Sequence, residues 1–340
     1  EKDFFKIKNK NEIVWEQFIL GEKKEIVSCN GLESQQGLDV SKNEDEIIIK
    51  GENFRYELNE KAGRNLFISN ADMNINLTGP VPNIWRAPTA NELDSWTTYR
   101  GGMEIESPGM GNDVANAWRS LGIDQLRHEF GNWEIREITD ESVIVKTEFL
   151  SFGKDEMTSF ESRYSLHFHN DGSIDLYVTL IPNDRMTEWL PKVGVQVELP
   201  AEFKNLEWYG RGPFETYPDR KTGAKTGIWN SSASQEFQPY IIPQDYGNHT
   251  DTRWVKVLNN EGKGIMIKGM DLFNFSLHEY STDNLTRAKY PFQLKKHDRL
   301  ILNLDHKVSG VGGNAIGLMN PYKVYPKKYE WGFRIVTTGG

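Results

Sequence analysis

Apolar and polar positions alternate with a period of two along most of the chain. "SIDLYVTLI" places Ile174, Leu176, Val178 and Leu180 on one side of a strand, with Asp175, Tyr177 and Thr179 on the other. "KVGVQVEL" does the same with Val193, Val195, Val197 and Leu199, and "RYSLHFHN", "FNFSLHEYS", "RLILNLDHK" and "YEWGFRIV" repeat the pattern. Such alternation predicts half-buried strands of antiparallel sheets. Asn170-Asp171-Gly172 and Asn260-Glu261-Gly262 supply turn chemistry for hairpins between them. One stretch departs from the rule. Between Asn112 and Arg127, Val114, Trp118 and Leu121 recur near helical spacing, with Asn112 and Asp113 as candidate caps. The pattern predicts one short helix in an otherwise all-β chain.

The first forty residues read differently. "NEIVWEQFIL" makes one strand, and the polar, Gly/Ser/Gln-rich run after it is linker-like. A lone strand cannot build a core, so residues 1–40 are expected to be the last strand of a preceding domain plus a linker. Residues 41–340 then form the main domain, with strands from Glu46 to Thr337 and no comparable break. That is long for one immunoglobulin-like sandwich, so a larger antiparallel two-sheet sandwich is expected.

Composition narrows the function. A hydrophobic content of 37 % and ten Trp are ample for a core in 340 residues. A net charge of −9 without a basic stripe argues against nucleic acid. No apolar run approaches the roughly 20 residues that span a bilayer. The opening "EKDFFKIKNKNE" has neither a signal-like apolar stretch nor a Met, which suggests a fragment or processed chain. The single cysteine, Cys29, excludes an internal disulfide and a Cys-based zinc site. One cysteine suits a reducing cytoplasm and is compatible with a bacterial periplasm.

The densest chemistry lies in "EWYGRGPFETYPDRKTGAKTGIW", residues 207–229. Glu215 and Asp219 are four apart, as an acid and a base could be. Pro213 and Pro218 keep the stretch extended or turned, however, and Arg211 and Arg220 are ready partners. Arg–carboxylate pairs that brace a loop are the better reading. His249, Asp251 and Arg253 alternate along a predicted strand and would share a face. One His with one Asp is thin for a metal, so a polar network against the Arg211–Arg220 loop is expected. His167 and His169 share a strand face and read as solvent-facing. His278 and Glu279 fall on opposite faces, and His306 beside Lys307 reads as a polar wall residue. Most Trp should be core or inter-domain contacts, with Trp96, on a polar loop, exposed.

Four segments then stand out together: "NIWRAPTANELD" (83–94), "WYGRGPFETYPDR" (208–220), "PQDYGNHTDTRWVKV" (243–257) and "LNLDHKVSGVGGN" (302–314). Their order and spacing resemble the C-terminal domain of the β-galactosidases of glycoside hydrolase family 2. The likeness runs from about Glu46 to the end, and "VWEQFIL" resembles the last strand of that family's preceding immunoglobulin-like domain. The resemblance implies an all-β supersandwich of the galactose-mutarotase type. It also implies a bacterial parent with a TIM barrel, whose two glutamates, about 5–5.5 Å apart, perform retaining hydrolysis. No alternation of strands with 10–15-residue helices occurs here, so the pair would lie elsewhere and this chain alone should be inactive.

In the family this domain closes one wall of the substrate cleft through two elements. The first is a loop with a D-N-D-x-G pattern, whose positions are held here by Ala90, Asn91, Glu92, Leu93 and Asp94, so both acids and the glycine are changed. The second carries a Trp platform for the sugar, and here "GGNAIGLMNPY" has Asn314 and Gly317 near that position and no aromatic before Tyr322. Trp96 or Tyr322 would have to supply the platform. The resemblance thus assigns Asn91, Glu92, Asp94, Trp96, Asn314, Gly317 and Tyr322 to the wall. Its implied partners are a β-galactoside or related oligosaccharide, the other domains of the same polypeptide, and further copies of the parent. No cofactor is expected in this chain, and any Mg or Na of the parent would sit on other domains.

A free-standing aldose 1-epimerase of the same fold is the alternative, with His249 and Glu215 as its acid and base. A non-catalytic carbohydrate-binding module is a third. Absent neighbours would expose apolar surface around residues 88–102 and near Gly313.

Overall fold

A computed structural model describes residues 16–18, 37–59, 65–93, 114–154, 156–312 and 318–339. The chain divides into two compact units, Glu1–Asn30 and Gly31–Gly340, and every strand among the described residues belongs to the second; the predicted strand "NEIVWEQFIL" lies almost wholly outside them. All strand pairings are antiparallel, as the period of two requires.

One layer begins with β1 (Asp39–Lys42), β2 (Glu46–Lys50), β3 (Phe54–Asn59), β4 (Asn65–Asn70) and β5 (Asn74–Asn83). It continues across β11 (Lys192–Pro200), β16 (Arg299–Val308), β15 (Gly264–His278), β14 (His249–Leu258), β12 (Asn205–Gly212) and β13 (Lys225–Ser232). The second layer starts with β6 (Arg127–Phe130) and β7 (Glu134–Ile138), both paired to β8 (Ser142–Phe152). It passes through β9 (Ser159–His169), β10 (Ile174–Pro182) and β17 (Tyr329–Thr338). The layers meet in β15. Residues 264–269 of that strand pair with β17 and residues 274–278 with β16.

The apolar faces of both layers make one core. Ile174, Leu176, Val178 and Leu180 are buried in it, as are Val193, Val195, Val197 and Leu199. Tyr56 of β3 meets Phe168 of β9 at 5.3 Å between ring centroids, joining the layers. β1 begins at Asp39, two residues before the expected edge of the main domain.

The predicted helix is α2 (Val114–Ser120), and Asn112 and Asp113 lie outside the described residues. Trp118 anchors it, fully buried, edge-on to Trp85 and Trp189, with its indole N–H donating to the Trp189 carbonyl. Gly122, at φ 72°, turns the chain after it, which suits glycine. The expectation of a single helix needs correction. α1 (Ala90–Leu93) and α3 (Thr282–Arg287) are also helical. Both are too short to show a helical period, and α3 is set by its Ser281 cap, which accepts from the Asn284 N–H.

Among the described residues, large apolar side chains are also exposed away from residues 88–102 and Gly313. Ile241 and Phe292 are the most exposed large apolar residues among those described in the main unit, at 87 % and 82 %. They lie on segments beside a small satellite cluster of Ala87, Tyr246 and Leu285. Residues 94–102 and 313–317 lie outside the described residues.

Candidate cleft wall and its supports

The loop after β12 is a brace, built as two separate halves. Arg211 donates from Nε to Asp251 Oδ2 at 2.5 Å and from a terminal nitrogen to the carbonyls of Lys221 and Ala224. Lys221 closes the triangle onto Asp251 at 2.8 Å. Burial alone would raise the Asp251 pKa, but hydrogen bonds from Lys221 and Arg211 outweigh it and hold the carboxyl below its ordinary range. Arg253 donates to the Asp251 carbonyl and lies 4.7 Å from the Tyr209 ring centre. In the other half Glu215 accepts from Arg220, Tyr240 and the Gly247 N–H.

Two expected members of that network act differently. Asp219 pairs with no arginine among the described residues. Its carboxylate accepts the N–H groups of Val311 at 3.0 Å and Gly312 at 2.7 Å, 92 and 93 positions away. His249 does not share a face with Asp251 and Arg253, because β14 shifts register between His249 and Thr252 and again before Trp254. The bulge puts Asp251 at φ 53°. His249 is wholly buried between Trp208 and Phe275, hydrogen-bonded through Nε2 to Glu236 at 2.7 Å. The His249–Glu215 couple of the epimerase alternative is therefore not formed, since each group faces other partners.

Of the seven wall residues, Asp94, Trp96, Asn314 and Gly317 lie outside the described residues. Of the other three, Asn91 and Tyr322 meet the backbone at Gly310–Gly312. Asn91 donates from Nδ2 to the carbonyls of Val311 at 3.1 Å and Gly312 at 3.5 Å, opposite the amides that Asp219 holds. Tyr322 accepts the Gly310 N–H through its carbonyl, while its half-buried ring lines a cavity. Ser309 ties the returning strand at Val324 to Leu190. Glu92 turns inward, 4 % exposed, and takes both terminal nitrogens of Arg86 at 2.6 and 2.7 Å together with the Thr89 N–H. It lies beneath the candidate wall.

Beneath the wall lies a feature that alternation concealed. Asn83, Gly194, Asp305 and Asn274 stand in register across β5, β11, β16 and β15. With Asn303, Ser276 and His278 they make a polar sheet face that is buried. Lys192 reaches into it, donating to Asn303 at 2.9 Å and to Asp305 at 3.3 Å. Gly194 makes the room, since a Cβ there would sit 2.2 Å from Asp305 Oδ1 and 2.6 Å from the Leu304 carbonyl oxygen. Burial drives the Asp305 carboxyl up to about 6, with Lys192 opposing and Asp245 adding to it.

That shift carries a pH prediction. The folded chain holds this proton up to about pH 6, whereas the unfolded chain releases it near the ordinary 3.8. The native state thus binds more protons between those values, and stability falls as pH rises through that window and levels above it. One such group contributes a slope of at most about 1.4 kcal/mol per pH unit. Denaturation of Asp305→Asn across pH 4–7 should show a shallower fall than the parent chain. Superimposable profiles would reject the assignment.

No group of three or more His, Cys, Asp or Glu converges to hold a metal among the described residues. His167 bonds to Ser165, and His169 to Asp175, each at 3.0 Å. His278 donates or accepts nothing from Glu279 and instead meets the Tyr246 carbonyl through Nε2 at 2.7 Å. No helix among these residues is long and apolar enough to cross a membrane.

Residues 50–335 match the family described as beta galactosidase small chain. The chain is 29 % identical over 307 residues to a beta-galactosidase of Priestia megaterium, covering 89 % of this chain and 27 % of that protein. It is 26 % identical over 330 residues to a beta-galactosidase of Actinobacillus pleuropneumoniae, covering 95 % and 30 %. The chain therefore spans between a quarter and a third of the length of these relatives. Among solved structures, a galactose 1-epimerase from Lactobacillus acidophilus aligns over 90 % of this chain and 99 % of its own, at 10 % identity and a TM-score of 0.39. That likeness is too loose to carry an argument.

Proposed function

Because the chain belongs to the beta galactosidase small chain family, we propose that it forms one wall of the substrate cleft of a β-galactosidase-like retaining hydrolase. The observation that carries this reading is how its prominent carboxylates are used. Glu92 is taken by Arg86, Glu215 by Arg220 and Tyr240, Asp219 by two backbone amides, and Asp251 by Arg211 and Lys221. A retaining mechanism needs one carboxylate free to attack and another free to exchange a proton. Groups fixed by charge-assisted bonds serve neither role well. The chemistry then belongs to the remaining length of the parent, and this chain presents the Val311–Gly312 backbone and the loop around Asn91 to a β-galactoside or related oligosaccharide. Other domains of the same polypeptide, and further copies of it, are its protein partners. Any Mg or Na requirement falls outside this chain.

Activity measurements test this directly. The 340-residue chain alone should leave a nitrophenyl β-galactoside intact and should not speed the mutarotation of galactose. Supplied with the glutamate-bearing remainder of a full-length parent, it should restore hydrolysis. Turnover by the isolated chain, or full activity of a parent lacking it, would overturn the proposal.

A further inference from the structure

A cavity of about 400 Å³ opens where the turn at Pro218–Lys221, the bend of β15, the end of β16 and the segment 321–329 meet. Its charge runs against that of the whole. The chain carries −9, yet Lys221, Lys307, Lys323 and Lys327 line this one concavity and Asp251 is the single carboxylate. That carboxylate is already matched by Arg211 and Lys221. Lys307, Lys323 and Lys327 pair with no carboxylate among the described residues. Lys323 lies 5.8 Å from the Trp189 ring centre and Lys327 lies 5.5 Å from that of Tyr329, which steadies both chains without neutralising them. Solvated lysines scattered over a surface are ordinary. Three unmatched ones around one recess raise the local potential and favour an anion there.

The floor of the recess is built from residues suited to a sugar ring. Asn274, 8 % exposed, uses its Nδ2 on the Asp305 carbonyl and so presents its amide at a fixed orientation. His306 stacks on Trp331 at 5.5 Å between ring centres and 12° between planes. Burial, helped by Lys307, pushes the His306 pKa down to about 4, so the ring is neutral at pH 7 and adds no charge. Its nitrogens make no hydrogen bond among the described residues. Tyr322 supplies an aromatic wall, and its backbone is tied to Gly310 in the strap that forms the cleft wall.

We propose that this cavity binds the anionic group of an acidic saccharide, a carboxylate or a sulfate ester, with Lys307, Lys323 and Lys327 as its cations and Asn274, His306 and Tyr322 against the ring. The saccharide half rests on the glycosidase reading above, whereas the anion half rests on the cavity alone. Occupancy would give the parent a preference for charged galactosides or charged branches beside the cleft.

Calorimetric titration of the 340-residue chain at low ionic strength tests it with galacturonate, galactose 6-sulfate, galactose and sodium sulfate. Both acidic sugars, or one of them, should bind at least about tenfold more tightly than galactose, and the preferred arm identifies the group. Each of Lys323→Gln and Lys327→Gln should weaken that binding about tenfold, the loss expected for one charge-assisted contact, while Lys146→Gln on β8 changes nothing. Added salt should weaken it as well. Equal binding of galactose overturns the proposal, as does inorganic sulfate binding as tightly as the sulfated sugar, or no binding of either acid. Circular dichroism of the variants separates lost binding from lost fold. Failure here with intact restoration of hydrolysis removes only this site, whereas binding without restoration removes only the glycosidase reading.

Discussion

Glu92→Ala is expected to destabilise the chain by about 3–5 kcal/mol, one of the two largest single effects that follow from this structure. Arg86 is 1 % exposed, and its terminal nitrogens depend on the two Glu92 oxygens. Burial works against the guanidinium charge, but Glu92 and Asp245 outweigh it and hold the arginine more firmly protonated than usual. Deleting the carboxylate leaves that buried charge among the Trp118 and Tyr217 rings, each 6.0 Å from the guanidinium carbon, with only the Gly310 carbonyl at 3.4 Å still accepting from it among the described residues. It also frees the Thr89 N–H that starts α1. Glu92→Gln keeps one acceptor and should lie between the two. The double variant Arg86→Met/Glu92→Leu should recover most of the loss, since an apolar pair can replace a buried ion pair at little cost. The measure is the denaturant midpoint by tryptophan fluorescence. A loss under about 1 kcal/mol in Glu92→Ala would show that the pair is solvated, and the wall's support would then have to be sought elsewhere.

Much of this architecture is legible in the sequence, and the reasons for the gaps are specific. Period-two alternation locates β10, β11, β15, β16 and β17, because each presents one face to a continuous core. Trp118 at helical spacing locates α2. The pairing of Arg220 with Glu215 follows from their proximity within one turned loop. Alternation says which residues share a face, but not whether the polar face meets water. Asn303 and Asp305 therefore read as an ordinary outer face, whereas both are buried and accept hydrogen bonds from Lys192. A bulge is likewise silent in the sequence, and two in β14 rotate His249 away from Asp251. Partners far apart along the chain are hidden for the same reason. Nothing within the loop after β12 indicates that Asp219 reaches Val311, 92 positions on, whereas Glu92, read as a wall residue of the resemblance, turns onto Arg86 only six positions before it.

Asp219→Ala should release the strap backbone at Val311–Gly312 while leaving the main core folded, at a cost of about 3 kcal/mol. The carboxylate accepts the Val311 N–H on both oxygens and the Gly312 N–H on one, and bonds to a charged acceptor are worth roughly 1.5–3 kcal/mol each. Gly310 is shaped for this approach, because a Cβ there would lie 2.5 Å from Asp219 Cγ. Gly312 follows at φ 69°, a turn that the two amide contacts hold in place. Asp219→Asn is the sharper probe. Its oxygen can still accept one N–H, but its NH₂ then points a donor at the other, so a volume-neutral change should cost about 1–3 kcal/mol. Native-state hydrogen exchange reads the effect residue by residue. The Val311 and Gly312 amides should exchange about 10–100-fold faster in Asp219→Asn, one decade per 1.4 kcal/mol. Val195 and Leu302, deep in the core, should be unmoved. Glu215→Gln provides the control, since it loosens the other half of the brace and should leave both strap amides protected. Unchanged protection of Val311 and Gly312 would mean that Asn91 alone holds the strap. In that case the loop's acidic residue is bracing for its own turn, and the connection from that loop to the proposed cleft wall is lost.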